Sequence, residues 1–214
     1  MTWEIHEAPS EERANAVLHG TGAALAAAGL SLLVVRAATH GDAMHVVSAT
    51  IYGVSMVLLY LASTLYHGIS RPRAKAILEV LDHAAVYLLI AGTYTPFVLV
   101  TLQGPLGWTL FGVVWVLAAG GIIMQVSFPG RFRTAMTLLY VVMGWLAVLM
   151  GRPLLTLLEP AALALLFGGG IFYTTGVYFY YRKRFVYSHA VWHIFVLAGS
   201  VCHFVAIFSY VLPG

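Results

Sequence analysis

Long, unbroken apolar runs are the feature that most constrains this chain. Seven segments, each long enough to cross about 30 Å of hydrocarbon as an α-helix, follow one another along the 214 residues. The strands of a membrane β-barrel would alternate polar and apolar residues, which these runs do not. The sequence therefore predicts an all-α integral membrane bundle of seven transmembrane helices. The predicted spans are residues 16–36, 44–66, 80–102, 107–127, 133–151, 157–180 and 187–211.

The composition leaves little material for structure outside the membrane. The chain is 61% hydrophobic and 9% charged, whereas about a quarter of the residues in an average soluble domain are charged. We therefore predict one membrane domain over residues 1–214, with residues 1–14 as a short cytoplasmic tail. The start is acidic and polar, so we expect neither a secretory signal nor a transit peptide. The single cysteine, Cys202, excludes an intramolecular disulfide.

The basic residues predict how the bundle is oriented. With seven spans, the N-terminus and the second, fourth and sixth loops share one side of the membrane. Of the 11 Lys and Arg residues, only Arg36 and Arg152 fall on the opposite side. Basic residues concentrate in cytoplasmic loops, so we expect a multi-pass protein of the cell inner (plasma) membrane, with a cytoplasmic N-terminus and an outside C-terminus. The net charge of +3 then reflects topology, and no nucleic-acid partner is expected.

Proline and charge signals predict two local features of the third span. A basic loop over Gly68–Glu79, containing Pro72, is expected to precede it. Pro96 lies inside the span, where it is expected to kink the helix.

Polar side chains in the spans gather at one predicted depth. Such groups are costly inside a membrane and therefore mark candidate functional sites. Because successive spans run in opposite directions, four helices bring histidines and carboxylates to the cytoplasmic end. The side chains that meet there are those of Glu12, Asn15, His19, Ser63, His67, Asp82, His189 and His193.

The pair His189 and His193 has the spacing of a metal-binding helix. Residues four apart lie on one face of a helix, one turn apart, and two such imidazoles can chelate one ion. A third histidine from another helix would complete the three-histidine set that is typical of catalytic zinc, with one position left open. We predict His67 as this third ligand and Zn²⁺ as the cofactor, although other metals also accept imidazole ligands.

Two further residues are predicted to take part in catalysis. Ser63 lies one turn deeper than His67 on the same helix face. Asp82 would hold or deprotonate a water molecule that zinc activates. The alternative for Asp82 is a helix-start charge or an ion pair with a basic residue of the preceding loop.

The first span supplies the predicted surroundings of the metal ligands. Asn15 and His19 are four residues apart, on the face that would point into the bundle. Glu12 is predicted to support the site as well, and the alternative for Glu11 and Glu12 is a simple helix-start charge. His203 lies ten residues beyond His193, about 15 Å along a helix. It cannot share a metal with that pair, so we expect a packing or proton-handling role for it.

These residues fall in four signatures that together span residues 11–204. They are EERANAVLHG at 11–20, STLYH at 63–67, DHAAVYLLIAGTYTP at 82–96, and HAVWH at 189–193 with HF at 203–204. In these signatures the chain resembles the hemolysin III family of bacterial membrane proteins, a branch of the progestin and adipoQ receptor superfamily.

The resemblance implies a site and an activity. It implies zinc on the residues that match His67, His189 and His193, with Asp82 and Ser63 close by. The superfamily is similar to alkaline ceramidases, and its adiponectin-receptor branch is associated with ceramide hydrolysis. The resemblance therefore favours a ceramidase-like zinc amidohydrolase that cleaves a lipid amide or ester from the cytoplasmic leaflet, with a role in membrane homeostasis. A membrane lipid is the expected substrate or ligand.

Two other functions stay open at this point. In a membrane sensor or receptor-like protein, zinc would only hold spans two, three and seven together. The hemolysin label implies a pore-forming or lytic protein. A conducting path needs polar residues along its length, and the spans offer few of them beyond the cytoplasmic third.

Overall fold

The computed structural model describes residues 8–182 and 186–214, which form helices and no strands. The helices are α1 Pro9–His40, α2 Ala43–Gly68, α3 Pro72–Pro96, α4 Gly104–Ser127, α5 Arg133–Gly144, α6 Gly151–Leu157, α7 Pro160–Tyr181 and α8 Ser188–Ala206. A 3-10 turn at Trp145–Met150 separates α5 from α6, and π-helical turns at Phe97–Leu102 and Ile207–Val211 follow α3 and α8.

The predicted all-α membrane bundle is confirmed, with one correction to its spans. Within the described ranges, 6 helical stretches are long and apolar enough to cross a membrane unbroken. The predicted fifth span, 133–151, is instead a bent pair, Arg133–Leu149 and Gly151–Leu157, whose axes differ by 69°. The bundle has 7 spans, the predicted number, if this pair counts as one. The orientation of the termini stays a prediction.

The bend has a local cause at Gly151. Its φ of +50° lies in the left-handed region, which a glycine enters without the steric cost of a Cβ atom. Pro153 follows two residues later and has no N–H to donate to the preceding turn. Apolar length alone does not reveal this bend, because it carries no information about either effect.

The connection before α3 is much shorter than the predicted loop over Gly68–Glu79. Helix α2 ends at Gly68 and α3 begins at Pro72, so most of that stretch is helical and the loop prediction was wrong. Pro72 explains the early start, because proline at the first helical position has a suitable fixed φ and needs no N–H donor there. Lys75 and Glu79 consequently lie on a helix, where they face other parts of the bundle.

Helix α3 is the most enclosed helix of the bundle. Every residue from 91 to 100 is buried, and α3 packs against α2, α4 and α5. Pro96 lies in this stretch, and the backbone changes there from α-helical to π-helical hydrogen bonding. The predicted disturbance at Pro96 takes this form because local π adjustments can satisfy the backbone groups that a proline frees in a membrane helix.

A glycine allows α1 and α2 to approach each other closely. A Cβ atom at Gly53 of α2 would lie 2.5 Å from the Cδ1 atom of Leu30 on α1 and 3.1 Å from its Cα atom. Small residues at such contacts let helix backbones pack tightly in membranes. Glycine at this position therefore sets the distance between the two helices.

We expect Gly53→Ala to lower the free energy of unfolding by about 1–3 kcal/mol, as overpacking does in other cores. The added methyl group meets backbone as well as side chain, so the helices themselves must move apart. Gly112→Ala on α4 is the matched control, since a Cβ atom there meets nothing within 4 Å. Unfolding in detergent measures both variants, and equal stability of the two would contradict the close α1–α2 contact.

Candidate metal centre

Three histidines from two helices meet at one end of the bundle. His67 lies in the last turn of α2, and His189 and His193 lie in the first turns of α8. Their ligand nitrogens all lie within 4.8 Å of one another. The ring centroid of His67 is 5.0 Å from that of His189 and 5.0 Å from that of His193. The three predicted ligands are therefore neighbours in space.

The donor atoms of this cluster fit a metal ion. His67 and His193 are buried, and His193 is only 2% exposed. Within the described part of the chain, the Nε2 atom of His67 and both ring nitrogens of His193 are buried without a hydrogen-bond partner. Unsatisfied buried polar atoms are rare and costly, and coordination of an ion would satisfy them. Three imidazole nitrogens with room for a fourth ligand form a set that catalytic zinc uses.

Glu12 of α1 orients His67. The Nδ1 atom of His67 donates to the Oε2 atom of Glu12 over 2.7 Å. A carboxylate can only accept, so Nδ1 carries the proton and the lone pair of Nε2 is available for a metal. Metal-binding histidines commonly donate their other ring N–H to a carboxylate in this way. The structure thus places Glu12 where sequence reasoning expected a supporting residue.

Lys75 contacts the second carboxylate oxygen of Glu12, and the sequence analysis did not predict this contact. Its Nζ atom lies 2.8 Å from the Oε1 atom of Glu12 and donates to the backbone oxygen of Tyr66 over 3.0 Å. The contact arises because α3 begins at Pro72, which places Lys75 on a helix instead of in the predicted loop. Pro72 could have indicated this contact, because proline is favoured at the first position of a helix and a helix that begins there includes Lys75.

Glu11 connects α1 to the beginning of α8. Its Oε1 atom accepts a hydrogen bond of 3.0 Å from the backbone N–H of His189. Backbone N–H groups in the first turn of a helix have no partner within the helix, and a carboxylate there also faces the positive end of the helix dipole. Sequence reasoning considered Glu11 only as a charge on its own helix. The structure shows it capping a different helix that carries two of the histidines.

We expect Glu12→Ala to weaken metal binding by about 10- to 100-fold, the usual effect of removing the partner of a metal-bound histidine. The substitution frees the ring of His67 to rotate and to change its tautomer. Competition with a metal chelator measures the affinity. Glu79→Ala serves as the control, since Glu79 pairs with Arg133 instead, with 2.7 Å between Oε1 and Nη2. Equal affinity in the wild type and Glu12→Ala would exclude this supporting role.

His19 of α1 lies against the cluster, and Asn15 lies one turn earlier on the same helix. Both are buried, on the face of α1 that also carries Glu11. The ring centroid of His19 lies 3.6 Å from that of His193. His19 is nevertheless not one of the three histidines whose ligand atoms converge. The structure therefore brings His19 to the site, outside the three converging histidines, and buries Asn15 on the same helix face.

A cavity of about 160 Å³ begins at the histidines and extends into the bundle. Ser63 and Asp82 line it, together with His189 and His193. The Ser63 hydroxyl is buried without a partner in the described residues. The Asp82 side chain is 17% exposed, and its Oδ2 atom lies 3.9 Å from the Nδ1 atom of His83. The structure thus places both residues on the wall of a cavity that His189 and His193 also line.

The structure disfavours the alternative interpretation of Asp82. A helix-start charge lies in the first turn, but α3 begins at Pro72, ten residues earlier. Among the basic residues of the preceding stretch, Lys75 pairs with Glu12 instead, and the ion pair that Asp82 makes within the described residues is the 3.9 Å contact with His83, not one with Arg71 or Arg73. The carboxylate of Asp82 is therefore available to whatever occupies the cavity.

The rest of the cavity wall is mainly apolar and is contributed by α2, α3, α5, α7 and α8. Ligand pockets are typically apolar clefts with a few polar groups that fix the orientation of the ligand. The polar groups on this wall include those of Ser63, Asp82, His189 and His193. The apolar lining includes Leu59, Val86, Leu89, Val141, Val177 and Val196.

Comparisons with known proteins support the resemblance noted in the sequence. The sequence model of the family described as "Haemolysin-III related" matches residues 8–204. The chain is 50% identical over 203 residues to "Hemolysin-3" of Bacillus cereus, covering 95% of this chain and 93% of that protein. It is 50% identical over 200 residues to "Hemolysin-3 homolog" of Bacillus subtilis (strain 168), covering 94% of each. It is also 27% identical over 175 residues to the human "Monocyte to macrophage differentiation factor", covering 79% of this chain and 72% of that protein. The chain therefore belongs to the haemolysin III family of membrane proteins.

Proposed function

We propose that this protein is a zinc-dependent hydrolase that cleaves an amide or ester bond of a membrane lipid from the cytoplasmic leaflet. The observation that carries the proposal is a cluster of three metal-competent histidines, two of which, His189 and His193, line one largely apolar cavity together with a carboxylate and a hydroxyl. A metal site that only joins helices has no need of an adjoining cavity. A lipid hydrolase needs both a metal site and a cavity, because the hydrocarbon chain of the substrate must be held while its amide or ester bond reaches the reactive groups.

The residues around the site take separate parts in this reaction. Zinc on His67, His189 and His193 supplies Lewis acidity towards a carbonyl group and lowers the pKa of water. Asp82 accepts the proton of the attacking water and returns it to the departing amine or alcohol. The Ser63 hydroxyl donates a hydrogen bond to the carbonyl oxygen, where negative charge develops in the transition state. Glu12 keeps the proton of His67 on Nδ1 throughout.

The apolar wall contributes binding and excludes water. Contacts with Leu59, Leu89 and Val196 hold the hydrocarbon chain and fix the distance between its linkage and the histidines. Such contacts with the unreactive part of a substrate orient the reacting group, which supplies a large share of many rate enhancements. The substrate class that fits this wall is a lipid with one long acyl chain next to an amide or ester.

Hydrolysis by the purified protein tests the proposal. We expect the zinc-loaded protein in lipid nanodiscs to release fatty acid from at least one member of a panel of N-acyl lipids and acyl esters. Release should stop when a chelator removes the metal and should resume when zinc is restored. If protein with about one zinc per chain releases no fatty acid from any member, the hydrolase proposal is wrong.

A membrane sensor with a structural metal is the second candidate. The observation that favours it is the network of Glu11 and Glu12, which ties α1 to α2 and α8 around the histidines. In that case zinc would raise the unfolding temperature and no lipid would be consumed. The apolar cavity wall gives no support to a conducting pore, which needs polar groups along its length.

A further inference from the structure

Three contacts fix the ammonium group of Lys75 beside His67. Its Nζ atom lies 2.8 Å from the Oε1 atom of Glu12 on α1 and donates to the backbone oxygen of Tyr66 on α2 over 3.0 Å. The same nitrogen lies 4.5 Å from the centroid of the Tyr66 ring, a distance at which an aromatic face attracts a cation. Lys75 therefore joins α3 to both α1 and α2 at the residue that precedes a candidate ligand.

The carboxylate of Glu12 is shared between Lys75 and His67. Its Oε1 atom contacts the ammonium group of Lys75, and its Oε2 atom accepts from the Nδ1 atom of His67 over 2.7 Å. The Glu12 side chain is 20% exposed, so a carboxylate held by His67 alone would be free to rotate or to turn towards water. Charge-assisted contacts on both oxygens remove that freedom. Lys75 thus fixes the carboxylate that orients the ring of His67.

The neighbouring cation on α1 does not duplicate this contact. Arg13 follows Glu12 directly, but its side chain is exposed and its Nε atom donates to the backbone oxygen of Pro9 over 3.2 Å. In the described part of the chain, Lys75 is the basic residue that pairs with Glu12. The orientation of Glu12 therefore depends on one side chain from a third helix.

The charge of Lys75 has two opposing effects on a bound metal. It holds Glu12 in place, which favours binding, and it repels a cation, which opposes binding. The repulsion acts across Glu12 and the His67 ring, and both Lys75 and Glu12 are partly exposed, so water and salt weaken it. The hydrogen bonds act directly on the ring that supplies the ligand atom. We therefore expect orientation to outweigh repulsion.

We propose that Lys75 is a positioning residue of the metal centre, which acts through Glu12 to hold the Nε2 atom of His67 towards the ion and thereby raises the affinity for zinc. Groups outside the ligands orient them and tune metal affinity in this way. The inference rests on the proposed function for the presence of the metal and does not depend on turnover of a lipid.

The zinc affinity of Lys75→Met tests this inference. Methionine keeps an unbranched side chain against the Tyr66 ring and removes the charge and the donors. We expect the purified variant to bind zinc about 3- to 10-fold more weakly than the wild type in competition with a chelator, the range expected for one net hydrogen bond. Lys75→Gln, which also lacks the charge, is a second variant with the same expected direction. Affinity in both variants equal to or tighter than that of the wild type would overturn the inference.

Two further variants separate the role of the cation from packing and from general charge. Lys75→Arg keeps the charge and the donors and should restore an affinity close to that of the wild type. Arg133→Met is the matched control, because Arg133 forms a similar ion pair with Glu79, with 2.7 Å between Nη2 and Oε1, and it should bind zinc normally. A loss of affinity in either of these variants as large as that in Lys75→Met would overturn the inference.

A double-mutant cycle shows whether Lys75 acts through Glu12. Substitutions within one hydrogen-bonded network have non-additive effects. In a Glu12→Ala background no carboxylate remains for Lys75 to hold, so the added Lys75→Met substitution should leave the zinc affinity unchanged. A further fall of the same size as in the wild-type background would overturn the inference. The unfolding temperature of Lys75→Met in chelator should match that of the wild type, because a partly exposed ion pair contributes little to stability.

These measurements separate the inference from the proposed function. Zinc affinity is an equilibrium property and needs no hydrolysis. If the lipid panel is not hydrolysed but Lys75→Met binds zinc more weakly, the hydrolase proposal is wrong and the positioning role stands. If the panel is hydrolysed and Lys75→Met binds zinc as the wild type does, the hydrolase proposal stands and the positioning role is wrong. A wild-type protein that takes up no zinc would overturn both.

Discussion

His193→Ala is expected to abolish metal binding. The wild-type protein, purified with zinc present, should carry about one ion per chain, as a three-histidine site does. His193 is almost fully buried, and its ring nitrogens have no other partner among the described residues. Its removal leaves two imidazoles, which is too few for a stable catalytic zinc site. The bound metal should therefore fall below detection in protein washed with a weak chelator.

Elemental analysis of detergent-purified protein measures this loss, with His83→Ala as the control. His83 lines the same cavity, but its Nδ1 atom donates to the backbone oxygen of Glu79 over 2.7 Å. We expect that variant to keep the full metal content. Full metal content in His193→Ala would eliminate the proposed ligand set. A wild-type protein that takes up no zinc would reduce the histidines to a polar network and would remove the basis of the hydrolase proposal.

Asp82→Asn is expected to abolish turnover while the metal stays bound. Asparagine has the shape of aspartate, but it cannot take the proton of the attacking water. Loss of a positioned general base typically lowers kcat by about 10²- to 10⁴-fold. The carboxylate is not one of the three converging ligands, so zinc content and unfolding temperature should match those of the wild type. Rates of fatty-acid release and metal content, measured on the same preparation, check both parts.

Glu79→Gln is the matched control for this variant. Glu79 lies one turn earlier on α3, pairs with Arg133, and does not line the cavity that begins at the histidines. We expect its kcat to remain within about twofold of the wild-type value, because a surface ion pair contributes little. A fully active Asp82→Asn variant would exclude the proposed role of Asp82. Loss of both activity and zinc in that variant would indicate a ligand or folding role instead.

The clustering of the three histidines was predictable because its geometry follows from two regular features. Helical spacing places His189 and His193 on one face. The alternating direction of successive spans then places His67 at the same depth. Neither argument requires knowledge of side-chain packing, which is why sequence alone brought these three residues together.

The contacts that support the site depend on where helices begin and how they pack, and sequence periodicity does not define those details. Lys75 reaches Glu12 only because α3 starts at Pro72. Glu11 caps α8 across an interface that no local pattern encodes. The bend at Gly151 depends on a backbone conformation that hydropathy does not report. His203 was correctly separated from the metal ligands, but its place on the cavity wall required the positions of α7 and α8.

The hydrogen bond between Glu11 and His189 joins residues that are 178 positions apart. During synthesis, a ribosome completes the first helix long before it reaches the last one. The carboxylates of α1 are therefore in place before the segment that they cap exists, and the histidine cluster closes only when α8 has inserted. A chain truncated before α8 would carry only one of the three histidines, so the complete cluster marks a chain whose last helix has inserted.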